Sequence, residues 1–206
     1  MRRLLRMTLP LTIFIILILI SCGIGYAIIN FSLAQHARGE YFQLKNNYVE
    51  IEFPRNWLAF TWEEVNATGG RYVILCGPTD LRVAIYFMTF DELATQTYMD
   101  ENNITDAFSA ITLEVSRIYN WSLGQNPDAK LHFTENGTIT LANHEANYTI
   151  INIEGGYVEN EAVYNWTGMI TSWIDPRMTQ IVFYGEENDW NQVYNTFRYM
   201  LNSTKT

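Results

Sequence analysis

Leu81-Arg82-Val83-Ala84-Ile85-Tyr86-Phe87-Met88-Thr89-Phe90, followed by Asp91 to Asn120, is the stretch whose reading decides the fold. Residues 81–90 are apolar on nearly both faces, the pattern of a central strand covered on two sides. Beyond it the period changes. Ile104, Phe108, Ile111, Val115 and Ile118 recur at spacings of four and three, which lays one apolar stripe along a helix ending near Asn120;. Asp91–Asp100 reads as a shorter helical turn leading into it. A buried strand followed by an amphipathic helix implies a sheet with helices packed on it.

Upstream, Tyr48 to Phe53 alternates with period two, turning Val49, Ile51 and Phe53 inward before Pro54 ends the strand;. Trp57 to Trp62 is expected as its partner, and Gly69-Gly70 as the turn into a buried strand over Arg71–Cys76;. Downstream, Leu131–Leu141 is expected to fold over Asn136-Gly137, a pair suited to the positive φ angles of a tight hairpin;. Two longer strands follow, His144–Glu154 and Glu161–Ile174, separated by Gly155-Gly156. In the second, Tyr164, Trp166, Ile170 and Ile174 share one face, and Asn165, Thr167 and Thr171 the other;. After Asp175-Pro176 comes a strand over Thr179–Tyr184. Asn188 is expected to cap a last helix that turns Trp190, Val193, Tyr194, Phe197 and Leu201 inward;. The fold class is α+β, an antiparallel sheet flanked by helices in two or three layers.

Charge divides the chain. Arg2, Arg3 and Arg6 are the only ionised side chains before Arg38, and all 22 acidic residues lie at or beyond Glu40. The remainder, 10 basic against 22 acidic, repels phosphate backbones and speaks against a nucleic-acid partner;. From Thr8 to Leu33 no charge interrupts the chain, and about 25 helical residues reach roughly 37 Å, enough to cross a bilayer with tilt;. The organisation read from this is a cytoplasmic basic tip (1–7), a transmembrane anchor or signal segment (8–34), a polar linker (35–47) and one extracytoplasmic domain (48–203);. Leu19-Ile20-Ser21-Cys22 also matches a lipoprotein box, with Cys22 as the lipidated residue, and plain cleavage is a third outcome;. The apolar run continues past Cys22, which favours the uncleaved anchor.

Asn-X-Ser/Thr occurs at Asn66, Asn103, Asn120, Asn136, Asn147, Asn165 and Asn202, and at Asn30 beside the apolar segment;. That density exceeds what chance produces and predicts N-glycans outside the cytosol, in agreement with the arginine flank; Asn30, at the membrane edge, is not counted among them. Cys76 is the single cysteine of the folded part, so no internal disulfide forms once Cys22 is in the membrane. Cys76-Gly77-Pro78-Thr79 lacks the second thiol of a redox pair, and Cys76 reads as a core residue;.

The residues that would carry catalysis are missing. His144-Glu145-Ala146-Asn147-Tyr148 has Tyr148 where a zinc helix needs its second histidine;. Glu63-Glu64 would point to opposite faces of a strand. Glu186-Glu187-Asn188-Asp189 lacks the alternation of a calcium loop and suits a helix start;. No nucleophile elbow, phosphate loop or dinucleotide fingerprint occurs. The reading is therefore no catalytic residue, no metal site and no cofactor. Trp173, on the more polar strand face, is the candidate exposed aromatic for binding;.

Phe53-Pro54-Arg55-Asn56-Trp57, the mid-chain helix, the meander and the closing Phe197-Arg198-Tyr199-Met200-Leu201-Asn202-Ser203 together resemble the PsbP-like domains over about residues 41–203. That resemblance implies an α-β-α sandwich, shared with a Ran-binding nuclear import factor. It also implies a non-enzymatic binding or accessory module; the plant type is an extrinsic subunit of photosystem II that assists calcium and chloride retention. No residue here points to photosynthesis. The expected partners are the membrane, through the N-terminal helix, and an unidentified extracytoplasmic protein or glycan. A structural cell-envelope protein is the alternative, and a hydrolase with an unrecognised acidic site the third reading.

Overall fold

The computed structural model describes residues 37–38, 41–141 and 143–205; the basic tip, the apolar segment with Cys22, and Asn30 lie outside the described residues. Seven strands form one antiparallel sheet in the order β4-β5-β6-β10-β9-β8-β7. These are β4 (Trp57–Asn66), β5 (Gly69–Pro78), β6 (Val83–Phe90), β7 (Lys130–Leu141), β8 (His144–Glu159), β9 (Ala162–Ile174) and β10 (Met178–Glu186). Helices α1 (Glu92–Asn102) and α2 (Ala107–Gln125) cover one face. Helix α3 (Glu187–Ser203) covers the other, with a three-stranded sheet of β1 (Ala37–Arg38), β2 (Tyr41–Lys45) and β3 (Glu50–Pro54). This is the expected α+β architecture.

The apolar strand at residues 83–90 does lie inside the sheet, paired with β5 and β10. Ile85 and Phe87 face α3 while Met88 and Phe90 face α1, each almost fully buried. Three carboxylates start the helices. Asp91 accepts from the Ala94 and Gly70 backbone N–H groups. Asp106 and Ser109 form a reciprocal capping box;. Glu186 accepts from Asp189 N–H, so Glu186 and not Asn188 is the cap of α3. Cys76 is buried and its thiol is pushed up to about 12 by desolvation, the chemistry of a core residue;.

Several sequence expectations give way to tertiary contacts. The linker expected over 35–47 contains β2, which pairs with β3 from Tyr41↔Pro54 to Lys45↔Glu50, because Leu44 has core to cover beside Ile51. Trp57–Asn66 is therefore not the partner of β3; it crosses into the large sheet and pairs with β5. Asn136-Gly137 is not a turn. It continues β7 opposite Thr149 and Tyr148, with a Cβ at Gly137 coming within 3.2 Å of the Tyr148 ring, and the reversal falls after Leu141, where Asn143 takes φ 68. Gly155-Gly156 likewise lies within β8 as a bulge, and the reversal is at Asn160-Glu161, φ 49 and 68;. The long helix runs on to Gln125, and Phe108 in its first turn is exposed rather than on the buried stripe.

Candidate functional site

The helix-covered face of the large sheet is incompletely covered. Its rows follow from the registers. One row crosses Phe60, Leu75, Tyr86, Val182 and Ile170; the next crosses Leu58, Gly77, Ala84, Tyr184 and Gly168. Helix α2 packs over β8 and β9, with Ile111 and Val115 against Ile151, Ile153 and Ile170. The β4 side of both rows has no helix above it, and Leu58 and Phe60 are half exposed. In the second row Gly77, Ala84 and Gly168 present a methyl or nothing. Beside α2, over Ala84, Tyr86 and Met88, lies a cavity of about 860 Å³, within the range of small-molecule sites.

Its floor is Ala84, Tyr86, Met88, Val182 and Tyr184, and its helical wall is Glu114, Arg117, Ile118 and Trp121. Aromatic rings dominate one end. The β8 bulge inserts two residues between the Ile153↔Trp166 and Tyr157↔Tyr164 pairs and turns Tyr157 against Trp121, with centroids 5.8 Å apart and planes at 13°. Trp166 meets both of these rings edge-on and stacks on Tyr184 at 5.3 Å. Trp166 is only half buried, but its indole N–H is enclosed and has no hydrogen-bond partner among the described residues, a donor that a ligand acceptor would satisfy.

Polar groups are few and placed at the edges. Arg117 donates to the Tyr98 hydroxyl (2.6 Å) and Asn102 (3.0 Å) and lies 3.6 Å from the Glu114 carboxylate. Burial raises the Glu114 carboxyl above its ordinary range, opposed by Arg117;. The Tyr86 and Tyr184 phenols are raised as well, first by burial. At the other end Arg82 is paired with Glu159 at 2.9 Å and lies over the Tyr164 ring at 4.6 Å.

A carboxyl with a raised native pKa binds its proton more tightly in the folded state than in the unfolded one. Its contribution to stability is therefore full below the unfolded pKa and lost as pH rises to the folded value. Glu114→Gln should remove that decline, so the variant loses less stability than the parent between pH 4 and neutrality. Urea midpoints at a series of pH values check this, and parallel curves for the two proteins would rule it out.

The expected exposed aromatic is a correction. Trp173 is 1 % exposed, on the face covered by α3, stacked with His144 at 6.2 Å. Thr171, whose polar strand face suggested exposure, is itself buried. The aromatic platform is built instead from Trp121, Tyr157, Trp166 and Tyr184, which lie on four different elements. Trp121, one turn beyond Ile118 and 46 % exposed, is the member of this group that lies on the apolar side of the helix. His144 hydrogen-bonds Asp175, and no group of three His, Cys, Asp or Glu side chains able to hold a metal occurs among the described residues. Glu63 accepts from Tyr48 and Glu64 pairs with Arg71, as adjacent strand residues on opposite faces must. Asn66, Asn103, Asn120, Asn136, Asn165 and Asn202 are exposed, and Asn147 is half buried.

No family model and no curated protein sequence matches the chain. The fold does have a match. The solution structure of cyanobacterial PsbP (CyanoP) from Synechocystis sp. PCC 6803 aligns with TM-score 0.53 at 9 % identity, over 86 % of this chain and 98 % of that one. LpqN of Mycobacterium tuberculosis, described as involved in cell envelope biogenesis, aligns with TM-score 0.34 at 8 % identity, over 89 % and 98 %. The first likeness makes the fold PsbP-like, as the Phe53–Trp57 turn and the closing helix implied.

Proposed function

We propose that this PsbP-like domain is a membrane-tethered, extracytoplasmic and N-glycosylated binding module, without catalytic activity, whose ligand occupies the cavity under α2. The observation that carries the reading is the cavity itself: a volume of about 860 Å³ lined by stacked aromatic rings and a few polar groups. The tether and the glycans come from the charge-free run over 8–33 and from the sequons. The carboxylate of the cavity wall, Glu114, has a guanidinium as its charged neighbour. The second carboxylate of the lining, Glu159, is likewise paired with a guanidinium, that of Arg82 at 2.9 Å.

The test uses the full chain in lipid nanodiscs and 1-anilinonaphthalene-8-sulfonate as the apolar probe. All six tryptophans lie at or beyond Trp57, so energy transfer from indole to probe reports on the domain. Saturable transfer is expected, and Ala84→Phe, which places a ring in the open volume, should weaken binding by about tenfold or more. Transfer that does not saturate, or that Ala84→Phe leaves intact, would refute the cavity as the ligand site.

The laterally assembling envelope protein has one observation in its favour. β4 is an edge strand carrying exposed Leu58, Phe60 and Val65;.

A further inference from the structure

The lining of the cavity inverts the charge balance of the domain. From Arg38 onward the chain carries 10 basic against 22 acidic side chains. Around this one volume three arginines, Arg71, Arg82 and Arg117, meet two glutamates, Glu114 and Glu159. A concave site whose sign opposes that of the surrounding surface concentrates the ions that the rest of the molecule repels.

The three guanidiniums are not equivalent. Arg71 donates from Nε to Glu64 at 2.7 Å, with Nη2 2.6 Å from the same carboxylate. Arg82 holds Glu159 in the same forked manner, at 3.1 and 2.9 Å. Each of these two charges is cancelled in place. Arg117 is bound differently. Its Nη1 donates to the Tyr98 hydroxyl and its Nη2 to the Asn102 side-chain oxygen, both neutral acceptors on α1. The carboxylate beside it, Glu114, stands 3.6 Å away, outside hydrogen-bond contact, and burial shifts that carboxyl toward its protonated form;. The two helices thus hold the Arg117 guanidinium at the cavity wall with its charge less compensated than the other two. Arg117 carries five N–H groups, of which these contacts use two.

The rest of the volume is shaped for rings. Tyr86 stands across from Val182 and Ala84 across from Tyr184, so the two phenols sit diagonally on adjacent strands with smaller side chains completing the square. Trp166 lies against both Tyr184 and Trp121. Such aromatic walls favour flat partners. Arg117 and Trp121 are one turn apart on α2, about 6 Å along its axis, a spacing that a compact aromatic acid bridges.

We infer that the cavity takes a compact aromatic anion, its ring system over Tyr86 and Tyr184 beside Trp121 and its carboxylate or sulfonate on the Arg117 guanidinium. This rests on the reading of the cavity as a ligand site.

The experiment titrates the full chain in phosphatidylcholine nanodiscs with 2-naphthoate and with 2-naphthamide at neutral pH by isothermal calorimetry, with empty nanodiscs as the baseline. The two solutes share one ring system and nearly one shape, and they differ in charge. Naphthoate is expected to bind about tenfold or more tightly than the amide. Arg117→Gln should bring the two within about twofold of each other; its urea midpoint is measured alongside, because Arg117 also ties α2 to α1. Glu114→Gln, which removes the competing carboxylate, should widen the preference by about threefold, a gain that misfolding cannot imitate. A parent protein without the preference, or a folded Arg117→Gln variant that keeps it, would overturn the inference. If Arg117→Gln does not fold, an unchanged preference in Glu114→Gln overturns it in the same way. Should 1-anilinonaphthalene-8-sulfonate transfer still saturate and still respond to Ala84→Phe, the cavity stands as a ligand site whose specificity does not come from Arg117. Failure of that transfer test as well removes the site itself.

Discussion

Phe183→Ala should cost about 3 to 5 kcal/mol of folding stability, at least about a fifth of the roughly 5 to 15 kcal/mol that a domain of this size possesses. Phe183 is fully buried in β10, the middle strand of seven, and it is where the core behind the sheet converges. Its ring stacks on Phe197 at 4.3 Å and on Trp190 at 5.0 Å, joining the central strand to α3. The Trp190 indole N–H also donates to the Phe183 carbonyl, fixing the helix over the strand. Truncation leaves a void flanked by two large rings that cannot both close into it, so the cavity penalty adds to the lost transfer free energy. Urea unfolding followed by tryptophan emission measures the loss, with Phe183→Leu as the milder control at roughly 1 kcal/mol. A loss below about 1 kcal/mol for the alanine variant would mean that α3 is not held through this contact.

Trp173→Ala should cost a similar amount, about 3 to 5 kcal/mol, and this separates the two readings of that residue. An exposed binding aromatic could be removed within about 0.5 kcal/mol. Trp173 instead lies in the core between the sheet and α3, in the cluster that contains Met169, Leu141 and Met200. His144 stacks on its ring and is held in turn by Asp175. Removing the indole therefore empties a site at the β8–β9–β10 junction without touching the cavity under α2. Probe binding should survive in whatever fraction of Trp173→Ala remains folded. A stable variant that has lost ligand binding would contradict both statements.

Much of the fold was legible because it rests on local pattern. The alternation of Tyr48–Phe53, the apolar run of residues 83–90 and the change to helical period at Ile111 each dictate which face is buried, whatever the partner;. Turn chemistry was less informative. Asn136-Gly137 and Gly155-Gly156 have the residues of reversals, yet both lie inside strands, because glycine serves equally where a ring or a bulge must pass. The reversals fell at Asn143 and Asn160-Glu161, single polar residues whose φ > 0 no neighbour announced;.

The candidate site was scarcely legible. Trp121, Tyr157, Trp166 and Tyr184 are separated by up to 63 residues along the chain, and nothing in local spacing says that their rings meet. Trp173 illustrates the same limit from the other side: its neighbours Thr171 and Ser172 are polar, and a strand covered on both faces buries them regardless;. By itself, then, the sequence determined the α+β class, the alternation of strands with a mid-chain and a closing helix, the charge-free segment over 8–33 and the sequons, because periodicity, charge and short motifs are properties of neighbouring residues. Tertiary structure alone decided that β2 joins β3 rather than serving as a linker, that Trp173 is core, and that an aromatic cavity opens between Ala84, Tyr86 and Met88 of the sheet and the α2 wall. Those outcomes depend on which strands pair and in what register, and register is settled by contacts between residues far apart in the chain.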